Sequence, residues 1–198
     1  MEPSQKPLPR RTQAERREAT RSKLIDVARE LFVTSGYAET GTPEIVAAAD
    51  VTRGALYHHF ADKTDLFRAV CAREADFVGT SINDATGDID DAASALVAGS
   101  LAYFDAMSVP GRAALLLVEA PAVVGHVEAA NLALGDGRMQ LREGVAQALP
   151  DAGAAEIDAL TDILSAAFDR TALAIAEGGD KDAYVNAMLR LVDRTTSP

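Results

Sequence analysis

Between Thr42 and Lys63 the chain gathers side chains that can donate hydrogen bonds: Thr42, Thr52, Arg53, Tyr57, His58, His59 and Lys63, with Gly54 among them. At about 100° per helical residue, Arg53, Gly54, Tyr57 and His58 share an arc of about 140°, while Ala55 and Leu56 lie elsewhere. An arginine in the first turn of such a helix can meet a guanine edge through two parallel hydrogen bonds. A glycine beside it lets the backbone approach a groove closely. Tyr57, His58 and His59 can bond phosphates, and Lys63 with the free amides of a following helix start makes an anion site. Taken singly, a tyrosine or histidine here could equally satisfy a partly buried polar position. As a set, these residues fit contact with a polyanionic duplex.

Other chemistries find little support. His58 and His59 point about 100° apart on a helix, unlike the i, i+4 pair that shares a metal, and His126 is the remaining histidine. Cys71 is the single cysteine, which excludes an internal disulfide and a structural zinc cluster, and it reads as packing rather than as a nucleophile. There is no glycine-rich phosphate loop and no nucleophile with a base at a recognisable spacing. No catalytic residue, metal or cofactor is expected.

The elements that would position the polar set are helical. Apolar spacing follows the helix period nearly throughout and no alternating β-branched run interrupts it, so the class is all-α. Thr12-Gln13-Ala14-Glu15 has the form of a capping box and opens a helix over about 13–35, with Leu24, Ile25, Ala28, Leu31 and Phe32 as its stripe and Gly36 as its stop. Thr42-Pro43 starts a short helix with Ile45, Val46 and Ala49 inward, and Asp50 can take the left-handed conformation of a tight turn. Thr52 caps a third helix in which Leu56 packs inward and Phe60 closes the turn. Two short helices so joined suit a helix-turn-helix. A fourth helix, about 63–78, carries Leu66, Phe67 and Val70. Residues 79–91, rich in Gly and Asp, read as a loop or frayed helix end and as a domain boundary. Further helices are expected at about 92–107, 110–120, 122–148, 154–178 and 181–194, with Gly135 and Gly137 able to break the third of these.

The 198 residues, 48% apolar and 25% charged, describe an ordinary globular chain of one or two domains. No apolar run approaches a bilayer span and no secretory signal is visible, so a cytoplasmic protein without membrane contact is expected. The net charge of −11 is unevenly spread: residues 1–80 balance 12 Lys/Arg against 12 Asp/Glu, and the whole acidic excess follows them. The first 23 residues hold 7 basic against 3 acidic groups. Residues 1–11 read as a disordered basic arm, and Lys6, Arg10, Arg11, Arg16 and Arg17 could track phosphates or simply solubilise the chain.

The segment Ile45-Val46-Ala47-Ala48-Ala49-Asp50-Val51-Thr52-Arg53-Gly54-Ala55-Leu56-Tyr57-His58-His59-Phe60-Ala61-Asp62-Lys63-Thr64-Asp65-Leu66 resembles the DNA-binding signature of the tetracycline-repressor (TetR) family of transcriptional regulators. The resemblance spans about residues 15–70. It implies a homodimeric, all-helical repressor of a near-palindromic double-stranded DNA operator, released by a small molecule. Its helix-turn-helix domain would be residues 12–78, and its ligand-binding and dimerisation domain residues 79–198. Thr42, Thr52, Arg53, Gly54, Tyr57, His59 and Lys63 would inherit the DNA contacts, with His58 at a variable place. Asp50 stands where glycine is usual in the turn, Pro43 where a polar residue often reaches bases, and Val46 where alanine is customary.

In the C-terminal part, helical patterning lets Tyr103, Phe104, Met107, Leu116, Val123, Met139 and Phe168 line a shared interior, with Glu119, His126 or Asn131 as polar anchors. The same residues serve equally as ordinary core. A neutral or cationic hydrophobic ligand suits so acidic a domain. Leu160, Leu164, Ala167, Phe168, Thr171, Met188, Leu191 and Val192 lie on apolar stripes of the last two helices. The resemblance implies that these helices pair with those of a second subunit in a four-helix bundle and that the fourth helix links pocket to DNA. The competing reading is a helical small-molecule-binding module or an enzyme without DNA function.

Overall fold

The structure, a computed structural model, describes residues 12–133 and 136–196. The expected arm at 1–11 lies outside the described residues. Helix α1 (Gln13–Glu39) opens with the capping box in place. Thr12 Oγ1 accepts from the Glu15 amide at 3.2 Å, and the Glu15 carboxylate accepts from the Thr12 amide at 2.7 Å. The regular helix is interrupted at Gly36, whose φ of 81° is left-handed, as its position after the last apolar residues suggested. Helices α2 (Thr42–Ala48), α3 (Arg53–His59) and α4 (Lys63–Thr86) follow. Leu24, Ile25, Ala28 and Phe32 from α1 meet Ile45, Leu56, Phe60, Leu66, Phe67 and Val70 in one buried core. The Phe32 and Phe67 rings meet edge-on at 5.3 Å, and Tyr37 and Phe67 at 4.9 Å.

The break expected at 79–91 is mostly helix: α4 continues to Thr86. The Gly and Asp content there outweighed a weaker signal, since Cys71, Glu74, Val78 and Ile82 carry the buried stripe forward at helical spacing. Helix α5 (Ala92–Met107) is capped by Asp91, which accepts from the Ser94 amide at 2.8 Å. After Gly111, helix α6 (Arg112–Ala114) runs into a π-helical turn (Leu115–Glu119) and then α7 (Ala120–Val124). The Ala120 amide reaches back to Leu115, and Pro121, with no N–H to offer, cannot restore the ordinary ladder. The single helix expected over 122–148 is instead the end of α7, then α8 (His126–Ala133) and α9 (Asp136–Ala148). Gly125, at φ 86°, separates the first two.

Helices α10 (Ala154–Ala176) and α11 (Lys181–Thr196) complete the chain. Helix α4 is the central element, packed against α1 on one side and against α5, α7, α8 and α9 further along. Helix α10 rests on α6, α9 and α11, and α11 rests on α5. Among the described residues there is no strand, and no single helix is long and apolar enough to cross a membrane.

Candidate nucleic-acid interface

Leu56, fully buried, fixes α3 to the core and thereby turns its other face outward. Thr52, Arg53, Gly54, Tyr57 and His58 are exposed and His59 is half-buried. Thr52 accepts from the Ala55 amide at 3.1 Å, so the helix start is satisfied internally. The turn ahead of it is closed by Asp50 and Val51 amides bonding to Ala47 and Val46 carbonyls at 3.1 and 3.0 Å. Asp50 sits at φ 49°, the one non-glycine residue with positive φ among those described. The aspartate therefore takes the left-handed conformation that glycine adopts most easily, with its side chain exposed. Pro43 is exposed at the start of α2, and Val46 is half-buried against the core.

The outward side chains form a row. The Arg53 guanidinium lies 5.5 Å from the centre of the Tyr57 ring, and the Tyr57 hydroxyl is turned toward Thr42 on α2. Thr42 and then Arg53 draw the Tyr57 hydroxyl below its ordinary pKa. Burial, then the charges of His58, Arg17 and Arg21, hold His59 below the usual histidine pKa. A Cβ on Gly54 would meet nothing nearer than Thr52 Oγ1 at 3.9 Å, so internal packing places no demand for glycine there.

Lys63 is placed differently from expectation. Its ammonium donates to the Tyr37 and Thr40 carbonyls at 2.8 and 3.0 Å and lies 4.1 Å from the centre of the Tyr37 ring. Two of its three N–H groups thus close the end of α1. The start of α4 is likewise served from within, because Asp62 accepts from the Asp65 amide at 2.7 Å and Asp65 accepts from the Ala61 amide at 2.9 Å.

Sequence reasoning missed the junction behind this surface. Glu74 on α4, 1% exposed, accepts from Arg29 of α1 at 2.9 Å and from Arg112 of α6 at 2.8 Å. Arg112 also donates to the Ala106 carbonyl at 2.7 Å, and Arg29 to the Pro110 carbonyl at 3.2 Å. Burial opposes ionisation of Glu74, but the two guanidiniums prevail and hold its carboxyl below the ordinary range. Glu119 accepts from the Tyr37 amide at 3.1 Å. Gly111, at φ 79°, lies so close that a Cβ there would fall 2.3 Å from Val33 Cγ1. Nothing in the spacing of these residues links them; only their burial does.

Between α4, α5, α9 and α10 lies a cavity of about 700 Å³. Tyr103, Met107, Leu116 and Phe168 line it, as do Asn83, Ser100, Arg138, Gln140 and Asp169, which the sequence did not single out. Phe104 lies outside the lining as core, 1% exposed, and Glu119 is engaged with Tyr37. Val123 packs against the core elsewhere. His126 and Asn131 are exposed, and Met139 is 65% exposed, all three outside the lining although Ala130, Arg138 and Gln140 of the same helices belong to it. Burial pushes the Cys71 thiol up to about 12, in keeping with a packing role. Among the described residues no three His, Cys, Asp or Glu are grouped to hold a metal.

On the last two helices, Leu164, Phe168, Met188 and Val192 point into their own chain's core. The sequence stripe included them because it could not tell one apolar face of α10 and α11 from the other. Leu160, Ala167 and Thr171 are half-buried, and Leu191 is exposed. Ile163 and Tyr184, not singled out beforehand as interface residues, are 63% and 42% exposed.

Residues 24–70 match the family model for bacterial regulatory proteins of the tetR family. The HTH-type transcriptional regulator AcrR of Shigella flexneri is 48% identical over 63 residues, which is 32% of this chain and 29% of that protein. The HTH-type transcriptional activator FasR of Mycolicibacterium smegmatis is 31% identical over 130 residues, 63% of this chain and 59% of that one. The chain therefore matches well under two thirds of the length of these curated relatives. A TetR-family transcriptional regulator from Pectobacterium atrosepticum superposes with a TM-score of 0.68 at 26% identity, covering 93% of this chain and 95% of its own. In its helix-turn-helix segment by sequence, and over nearly its whole length by fold, this chain is similar to bacterial regulatory proteins of the TetR family.

Proposed function

We propose that the chain is a ligand-responsive, DNA-binding transcriptional regulator that grips a near-palindromic operator as a homodimer and is released by a small molecule. The observation that carries this reading is the exposed row on α3, in which Arg53 and Tyr57 are braced on each other and on Thr42 beside a Gly54 with open space above it. Arg53 reads bases; Thr42, Thr52, Tyr57, His58 and His59 fix register on phosphates. Lys63 supplies its remaining N–H and holds the end of α1.

A second subunit packs on the outer faces of α10 and α11, where Leu160, Ile163, Ala167, Thr171, Tyr184 and Leu191 are left at least partly uncovered. Pairing there sets two recognition helices about 34–36 Å apart, one turn of DNA. An effector in the cavity that prefers a different spacing shifts the population away from DNA. The Arg29–Glu74–Arg112 junction ties the DNA-binding helices to the cavity helices and gives that shift a path. The same helix-turn-helix is compatible with either sign of regulation, since the relative from M. smegmatis is an activator and BepR of Brucella suis a repressor. The function is binding, not catalysis, and its setting is the bacterial cytoplasm.

The test is selection of bound fragments from the host genome, followed by gel shifts. Arg53→Ala should relax sequence preference. A helical binding module without DNA function is the reading left if Arg53→Ala and Tyr57→Ala leave binding unchanged. Sedimentation showing a monomer at micromolar concentration would remove the dimer.

A further inference from the structure

The proposal of an effector in the cavity leaves its chemistry open, and the lining narrows it. Three carboxylates, Glu143, Asp162 and Asp169, face one cation, Arg138, across a space large enough for a drug-sized molecule. Arg138 is already bonded to Asp162. Asp169 has no such partner: the Tyr103 hydroxyl donates to it at 2.8 Å, and no cation among the described residues faces it.

The hydroxyl donors of Ser100 and Tyr103 and one Gln140 N–H are spent within the chain, while acceptors remain. The Ser100 hydroxyl is given to the Leu96 carbonyl at 2.6 Å, the Tyr103 hydroxyl to Asp169, and the Gln140 amide nitrogen to Asn83. Gln140 Oε1 is buried with no hydrogen-bond partner. An orphaned buried acceptor and an uncompensated carboxylate both ask for N–H groups from outside the chain. The Tyr103 and Phe168 rings, 5.5 Å apart and edge to face, add apolar walls and ring faces that attract positive charge.

Resting on the effector-cavity reading above, we infer that this site takes a hydrophobic ammonium: an aryl- or alkylamine, protonated, with at least one N–H donor seated on Asp169 and its apolar part against Tyr103 and Phe168. Burial raises the pKa of Asp169 in the empty cavity, and a bound cation reverses that penalty. A carboxylate ligand would meet like charge, and a neutral ligand, even one with a donor to give, would leave the Asp169 charge uncompensated.

Calorimetric titration of the full chain at neutral pH with 2-naphthylmethylammonium, 2-naphthylmethanol and 2-naphthoate separates the possibilities. The ammonium should bind at least tenfold tighter than the alcohol, and the carboxylate weakest. Asp169→Asn should erase the tenfold preference while leaving the alcohol unchanged. Tyr103→Phe, which keeps the carboxylate and removes its internal donor, should retain or enlarge it and serves if the asparagine variant is unstable. Equal or tighter binding of the alcohol or carboxylate overturns the inference but leaves the cavity as an effector site; so does a preference that survives in Asp169→Asn. Failure of all three probes to bind overturns both.

Discussion

The two halves of α4 pack against opposite kinds of interior. Its first turns bury Leu66, Phe67 and Val70 in a core closed by Leu24, Phe32, Ile45 and Leu56, each at most 1% exposed. Its later turns, at Val78, Gly79 and Ile82, border a cavity of about 700 Å³. A filled core holds one arrangement and fixes the outward row on α3, whereas a lined void can be occupied or empty and so has more than one stable packing around it. The DNA-facing end is built for a fixed geometry and the other end for a variable one, with Glu74 at the join.

The largest effect should come from breaking that join. Glu74→Gln strands two partly buried guanidiniums and is expected to cost about 3–5 kcal/mol, read as a lowered thermal midpoint. Because the folded-state pKa of Glu74 is depressed, its contribution is complete above the ordinary glutamate range and fades as pH falls through the lowered value. The variant should therefore lose part of the acid limb of the stability profile; an unchanged limb would mean the junction is not ionised.

Next come two variants at the rigid end. Arg53→Ala should cost about 1–3 kcal/mol of operator binding, concentrated at one base position, with the melting curve unchanged. Gly54→Ala sharpens the comparison further. The empty space above it predicts a fold as stable as before, or more so by up to about 1 kcal/mol from helix propensity, yet weakened DNA binding. Full binding by Gly54→Ala would show that the space is not kept for a duplex.

Smaller effects follow. His59 is held below the usual histidine pKa in the free protein, and a phosphate beside it would raise that value, so operator binding should take up protons. Affinity should then rise modestly as pH falls from 8 toward 6, and His59→Gln should flatten the slope in gel shifts across pH. Asp50→Gly should gain about 0.5–1 kcal/mol in chemical unfolding by removing a left-handed aspartate.

Short-range signals made the DNA-facing end legible. Thr12 with Glu15, Thr52, and Asp62 each cap a helix start within three residues of their partners as read, whereas at Thr42-Pro43 the helix starts one residue earlier than read, with Gly41 at the cap and no side-chain cap bond from Thr42. The rest depends on contacts across distant sequence. Glu74 reads as a solvated charge until Arg29 and Arg112 fold over it. Asp169 gains meaning only from Tyr103, 66 residues away. His126, Asn131 and Met139 have the right types for a pocket but lie exposed and outside its lining, which takes Ala130, Arg138 and Gln140 from the same helices, a choice of face that local pattern could not make. Lys63 was legible as a cation, yet its partners are carbonyls whose position only the bend at Gly36 determines.

The continuity of α4 sets a mechanical scale. At ~1.5 Å of rise per residue, its first residue stands ~17 Å from Glu74 and its last ~18 Å beyond on the other side. If the helix pivots there as a stiff rod, a tilt of ~5° displaces each tip by ~1.5 Å. Two such subunits related by a two-fold axis would then change their separation by ~3 Å, close to the stacking distance of one base pair. A fulcrum near the midpoint transmits motion without magnifying it, so sensitivity must come from the steepness with which the duplex rejects a misplaced pair of helices.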